Sequence, residues 1–167
     1  VLEPTDVVVA HGTIAAVGAP GTVAVPKGAL VVDGRGKTLL PGLVDAHLHT
    51  QVTGAPPWYV VLPNPEHVLQ EALYAGVTTA HDMGGPLDDV IALKRRVAAG
   101  DVIGPRLLVA GPLLQPPNGY PASYISRVLP ALAPLFRAEF TRPVASAAEC
   151  GRRGDDLVPA AVRRVNS

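Results

Sequence analysis

The 167-residue sequence has little of what marks several classes of protein. Its single cysteine, Cys150, excludes an internal disulfide. Its 14 basic and 14 acidic residues cancel and form no basic stripe, which argues against nucleic acid or an anionic membrane as a partner. No apolar run reaches the roughly 18 residues of a membrane span, and the first residues do not resemble a signal peptide. These absences predict a cytoplasmic protein.

The composition that remains is typical of a folded chain with many turns. Apolar residues make up 48% of the sequence and charged residues 17%, which is enough apolar surface to form a core. The 17 glycines and 18 prolines are well above the usual frequency, so long uninterrupted helices are not expected.

The N-terminal part, residues 1–40, has the pattern of a small β domain. Short β-type segments at 6–10, 13–17, 22–25 and 29–32 are separated by glycines. His11 and Gly12 stand where a two-residue turn would join the first two segments, so we interpret His11 as a turn residue and not as a ligand.

Strand-like and helix-like segments alternate from Leu39 onwards. Strands are predicted at 43–49, 77–81 and 106–110. One predicted helix starts after Asn64, with Pro65 at its first position, and a second covers 86–99 and ends at Gly100. An irregular segment is expected around residues 56–59. The alternation indicates parallel βα units, three of which are visible, the third incomplete.

The C-terminal part combines loop signals with one helix-start signal. Six prolines between Gly111 and Phe140 predict a long loop or a broken helix. Ser146 and Glu149 have the spacing of a capping box, which predicts a helix from about Ala147, although Gly151 and Gly154 predict its early interruption. We therefore divide the chain into a β domain at 1–40, βα units at 41–149 and an aberrant or truncated tail at 150–167.

The most informative motif is the first predicted strand of the βα part, residues 41–49, with the sequence PGLVDAHLH. Because a strand has period two, Asp45, His47 and His49 share one face. Imidazoles on alternate residues lie about 6.6 Å apart along the strand and can lean toward one Zn²⁺ at about 2.0–2.1 Å. Asp45 could hydrogen-bond one imidazole nitrogen and fix its tautomer. The alternative is that both histidines are ordinary strand residues bonded to backbone or water.

A family resemblance extends this motif. The run VVDGRGKTLLPGLVDAHLHT at 31–50 resembles the N-terminal signature of the amidohydrolase superfamily, and GTIAAVG at 12–18 is similar to its small β domain. GVTTAHDMGG at 76–85 and GPRLLVAGPLL at 104–114 resemble the segments around its second and third barrel strands. The most similar branch contains imidazolonepropionase-like and prolidase-like enzymes. The resemblance implies an α/β chain with a β side domain and the first βα units of a TIM-type (β/α)₈ barrel, apparently truncated.

The resemblance also implies a divalent metal, preferably Zn²⁺, in a centre that is binuclear in the complete family fold. Its ligands are the H-x-H pair of strand one, a carboxylated lysine or a glutamate of strand four, histidines of strands five and six, and an aspartate of strand eight. Only His47 and His49 can be carried over, because no lysine follows Lys94 and no histidine follows His81. Four further residues are candidates for supporting or substrate-facing positions: Asp45, His81, Asp82 and Tyr120.

His81 has two interpretations. By alternation it lies near the C-terminal end of the second barrel strand, where barrel enzymes place their chemistry, so it could be a third ligand. The interpretation we favour is a loop histidine bonded to backbone. We interpret His67 as a solvated residue of the first helix.

Two functional hypotheses follow. In the first, the chain is part of a metal-dependent hydrolase that acts on amide or other C–N bonds of small molecules. In the second, it is a non-catalytic remnant, or a scaffold half that needs a partner chain, with at most a weak two-histidine metal site. A partial barrel would also leave open strand edges and is expected to self-associate.

Overall fold

The computed structural model describes residues 4–51 and 63–155. The chain divides between Leu40 and Pro41 into two compact units. The irregular segment expected around residues 56–59 and the end of the tail, 156–167, lie outside the described residues. No helix in the described ranges is long and apolar enough to cross a membrane.

The first unit begins with the predicted hairpin. Strands β1 (Asp6–Ala10) and β2 (Thr13–Gly18) pair antiparallel, with a bulge between Val8 and Val9. His11 and Gly12 join them with φ of 51° and 74°. A type I′ turn, whose twist matches that of the paired strands in a hairpin, requires positive φ at both central residues. The assignment of His11 to the turn is therefore confirmed.

The strands predicted at 22–25 and 29–32 are wrong. These segments form turns and irregular backbone, with Thr22 donating to the Ala19 carbonyl at 3.0 Å and Ala29 to the Pro26 carbonyl at 3.1 Å. Their apolar side chains face solvent, Val25 being 63% and Leu30 90% exposed. A β-type pattern becomes a strand only when a neighbouring strand and a buried face stabilise it, and the described residues provide neither here.

The second unit begins with the predicted βα alternation. In chain order its elements are β3 (Leu43–Leu48), α1 (Pro65–Tyr74), β4 (Val77–Asp82), α2 (Leu87–Ala99) and β5 (Arg106–Val109). The three strands form a parallel sheet in the order β3-β4-β5. The α/β class with parallel βα units is confirmed.

Local signals set the start of α1 and the end of α2. The Asn64 side chain accepts from the His67 backbone N–H at 3.1 Å, and Pro65 follows at the first helical position. Gly100 ends α2 in the left-handed region, with φ of 83°, as a residue without Cβ does most easily.

The helices cover one face of the sheet. Its core joins Leu69 of α1 and Leu93 of α2 to Ala80 of β4 and Leu107 of β5, with Leu48 of β3 packed against this cluster. Because side chains alternate along a strand, the residues on either side of Leu48 point away from the helices.

The proline-rich region is a broken helix with a short strand at each end. Its elements are β6 (Leu113–Gln115), α3 (Ala122–Val128), a 3₁₀ turn (Pro130–Leu132), α4 (Ala133–Phe140) and β7 (Thr141–Pro143). The broken-helix alternative is confirmed, whereas the parallel pairing of β6 with β7 was not predicted.

The last described helix, α5, covers residues 147–155. The Glu149 backbone N–H donates to the Ser146 hydroxyl at 3.2 Å, and the Glu149 carboxylate accepts from the Ala145 N–H at 2.9 Å, so the predicted start is confirmed. The interruption expected at Gly151 is wrong, because the helix continues through Gly151 and Gly154.

Candidate metal centre

Strand β3 brings His47 and His49 together. Their ring centroids lie 5.2 Å apart and their planes meet at 85°. His47 is exposed and His49 is half-buried. The strand ends at Leu48, so His49 is the first residue beyond it, at the C-terminal end of a parallel strand, where α/β folds place their ligands.

The spacing of the two rings fits a shared metal ion. Imidazoles bound to one tetrahedral Zn²⁺ at about 2.0–2.1 Å have ring centroids about 5 Å apart. The observed centroid separation of 5.2 Å equals that value, and neutral imidazole is a good ligand for Zn²⁺.

Asp45 contacts the backbone of the histidine pair. Its Oδ1 accepts from the His47 backbone N–H at 3.0 Å. This bond fixes the backbone at His47 from within the same strand. The hydrogen bond to an imidazole nitrogen that we considered for Asp45 is not among its contacts in the described part of the chain.

Asp82 of β4 is hydrogen-bonded to Thr50, the residue after His49. Its carboxyl group is fully buried and accepts three hydrogen bonds. Oδ2 accepts from the Thr50 backbone N–H at 3.3 Å and from the Thr50 hydroxyl, while Oδ1 accepts from the Gly84 N–H at 3.1 Å. Thr50 itself is 1% exposed. The end of β3 is thereby held against the end of β4.

His81 precedes Asp82 on β4 and is half-buried. Across the residues that the structure describes, no three His, Cys, Asp or Glu side chains stand close enough together to hold a metal ion. The structure thus brings His47 and His49 together and does not add His81, Asp45 or Asp82 to the pair as a third ligand.

Tyr120 lies in a different part of the unit. Its side chain is 78% exposed, and its ring centroid is 6.4 Å from that of Tyr124. Nearby, a cleft of about 210 Å³ is lined by Gln115, Pro117, Asn118, Arg137, Thr141 and Pro143. Sequence reasoning missed both this cleft and Thr50. Thr50 had one available signal, its position directly after the H-x-H motif.

Comparison with known proteins identifies a family. The model of the "Amidohydrolase family" matches residues 38–152. An enamidase from Eubacterium barkeri is 35% identical over 86 residues, which are 52% of this chain and 21% of the enamidase. An imidazolonepropionase from Rubrobacter xylanophilus is 47% identical over 58 residues, which are 32% of this chain and 14% of that protein.

A solved structure shows the same relationship. The crystal structure of a prolidase complexed with N-methylphosphonate-L-proline is 28% identical, with a TM-score of 0.58 over 71% of this chain and 30% of the prolidase. The chain therefore spans about a fifth or less of the curated relatives and under a third of that prolidase. The family model covers more than half of the sequence, including β3, β4 and β5. The chain belongs to the amidohydrolase family.

Proposed function

We propose that this chain forms part of a metal-dependent hydrolase that acts on amide or other C–N bonds of small molecules. The observation that carries the proposal is the His47–His49 pair, with ring centroids 5.2 Å apart at the end of a parallel strand. Family membership supports it, because the matched region includes this strand. The similarity to an enamidase, an imidazolonepropionase and a prolidase favours small amide-type substrates over macromolecules.

In this proposal, one ring nitrogen of His47 and one of His49 hold a divalent cation, with Zn²⁺ as the preferred ion. When bound, such a cation lowers the pKa of bound water toward about 7 and polarises a carbonyl group. Asp45 holds the His47 backbone, and Asp82 holds Thr50, so the two imidazoles start from fixed backbone positions. His81 and Tyr120 remain candidates for contact with substrate, and a cytoplasmic location remains a prediction.

A second candidate function is a scaffold that needs a partner chain. It is favoured by the ligand count, because the described residues provide one histidine pair and no group of three ligands. A catalytic zinc ordinarily has three protein ligands and an open position. A partner chain could supply the rest of such a centre.

Zinc binding tests the role of the histidine pair. Isothermal calorimetry with Zn²⁺ should show weak saturable binding to the wild-type chain and none to the variant with both His47→Ala and His49→Ala. His67→Ala is the matched control, because His67 lies on α1 beside Glu71, its Nε2 3.0 Å from the carboxylate, and is not part of the pair. Equal affinity of the wild type and the double variant would remove His47 and His49 from the proposal.

Activity separates the two candidate functions. We expect no Zn²⁺- or Mn²⁺-dependent turnover of dipeptide, cyclic imide or aryl amide substrates by the 167-residue chain alone. Two imidazoles leave ligand positions unfilled, and a hydrolase also needs a positioned proton acceptor. A full-length relative should show turnover that His47→Ala abolishes. If His47→Ala abolished turnover by the 167-residue chain itself, the scaffold alternative would be wrong.

A further inference from the structure

The cleft beside β6 offers hydrogen-bond donors for which the described residues provide no acceptor. Gln115 is the last residue of β6, and its side chain is 5% exposed while lining the cleft. Its Oε1 accepts from the Ala122 N–H at 3.5 Å, the N-terminal residue of α3. Its Nε2 donates to no atom of the described residues. A buried amide donor without an acceptor costs free energy, so a ligand acceptor at this point would be stabilising.

A positive charge stands at the same cleft. One guanidinium nitrogen of Arg137 donates to the Ser126 hydroxyl at 2.9 Å, and this group forms no ion pair within the described part of the chain. The remaining N–H groups of a guanidinium form a planar fork that matches a carboxylate. A buried amide donor and an uncompensated guanidinium around one cavity favour an anionic acceptor group.

The walls of the cleft are held in place and are partly apolar. The Thr141 hydroxyl, 2% exposed as a residue, donates to the Arg137 carbonyl at 3.0 Å, which fixes the end of α4. The loop after Gln115 closes with the Gly119 N–H donating to the Pro116 carbonyl at 2.8 Å. The rings of Pro117 and Pro143 line the opening, so the ligand has an apolar part beside its anionic group.

Size limits the ligand further. The volume is about 210 Å³, whereas a pocket for a drug-sized molecule is about 300–1,000 Å³ and one liquid water occupies about 30 Å³. We propose that the Gln115–Arg137 cleft binds a small organic carboxylate, with Arg137 and the Gln115 amide on the carboxylate and the proline rings on its aliphatic part. This proposal is independent of the metal and of the hydrolytic reaction.

The test uses isobutyrate as the probe for the carboxylate class. A ¹H–¹⁵N NMR titration of the 167-residue chain at pH 7 and constant ionic strength should give saturable shifts at the amides of Gln115, Asn118 and Thr141. Isobutyramide has the same shape without the charge and should give no saturable shift. Equal responses to isobutyrate and isobutyramide, or shifts confined to other parts of the chain, would overturn the proposal.

Two arginine variants provide the matched comparison. Arg137→Gln should weaken isobutyrate binding by about tenfold or more, since it removes a charge-assisted hydrogen bond. Arg127→Gln removes an equal charge from an exposed position on the neighbouring helix α3 that does not line the cleft, and binding should be unchanged. Equal weakening by both variants would assign the effect to net charge and would contradict a specific site.

Gln115 is tested by Gln115→Met, which keeps the length of the side chain and removes both its amide donors and the oxygen that accepts from Ala122. Binding should weaken while the far-ultraviolet circular dichroism stays that of the wild type. Gln115 is buried, so Gln115→Met could unfold the chain. In that case the comparison of Arg137→Gln with Arg127→Gln, both at exposed positions, decides the outcome. Unchanged binding in folded Gln115→Met would remove the buried amide from the proposal.

Discussion

Thr50 and Asp82 form a buried contact that joins the ends of two parallel strands. The Thr50 hydroxyl and backbone N–H both donate to Oδ2 of Asp82, from a position 32 residues earlier in the chain. Both residues are at most 1% exposed. Because Thr50 follows His49 directly, this contact sets the backbone from which the second imidazole of the pair projects.

Asp82→Asn should destabilise the chain by about 2–3 kcal/mol, because the new amide nitrogen cannot accept the hydrogen bonds that one carboxylate oxygen accepts now. Urea unfolding measures the loss. Asp101→Asn, at an exposed position, is the control and should change stability by less than about 0.5 kcal/mol. The double variant Thr50→Val, Asp82→Asn should lose less unfolding free energy than the sum of the losses in the two single variants. Strict additivity of the two losses would contradict a direct contact.

Asn64→Ala should cost about 1 kcal/mol, because the Asn64 side chain accepts from the first turn of α1. Asn64→Asp keeps an acceptor at that position and should retain most of the stability. The measurement is again urea unfolding. Equal losses in both variants would show that the cap does not stabilise α1.

Gly42→Ala should destabilise the junction of β3 with β4. A Cβ at position 42 would lie 2.6 Å from Cβ of Thr78, and overpacking of this kind costs about 1–3 kcal/mol. Gly34→Ala is the matched control, because a Cβ there would meet nothing within 4 Å. Thermal unfolding compares the two variants, and similar midpoints would contradict the close approach of Gly42 to Thr78.

Asp33 should titrate below its ordinary range. The side chain of Arg35, and then its backbone N–H, hydrogen-bond the carboxylate and lower the pKa of Asp33. Because the folded-state pKa is lowered, any stabilisation from this contact is present above the unfolded-state pKa. It is lost as the pH falls through the folded-state pKa. Carbon-13 NMR should show the Asp33 midpoint rising in Arg35→Gln. The pair is exposed, so the unfolding midpoint should not change, and a large change would show coupling to the fold.

The 167-residue chain should self-associate through its open sheet edge. Strand β3 has one neighbour, β4, in the described sheet, and Val44 on it is 68% exposed. Val44→Lys should shift sedimentation toward the monomer, because charges on edge strands oppose pairing between chains. Leu135→Lys is the control. It replaces a similarly exposed apolar residue of α4 and should leave the sedimentation unchanged. A wild-type chain that sediments as a monomer at all concentrations would contradict this expectation.

The sequence by itself determined the features that depend on near neighbours. The H-x-H spacing predicts that the His47 and His49 side chains project to the same side, because side chains alternate with period two up to the end of the strand. Asn64, Pro65 and Gly100 set the ends of two helices, and His11 with Gly12 makes the hairpin turn, because caps and tight turns are closed by residues within a few positions of each other. The family resemblance came from the same local runs.

Only the tertiary structure decided the features that depend on distant partners. The β-type pattern at 22–25 and 29–32 forms no strand, because a strand needs a paired neighbour and a buried face, and local sequence specifies neither. The Asp82–Thr50 contact forms where separate segments of the chain pack, and so does the cleft that buried Gln115 and Arg137 both line. No residue spacing in the sequence predicts either feature. The histidine pair could be predicted from the sequence because periodicity is local. Its supporting contacts and the Gln115–Arg137 cleft could not, because burial and long-range hydrogen bonds are properties of the packed chain.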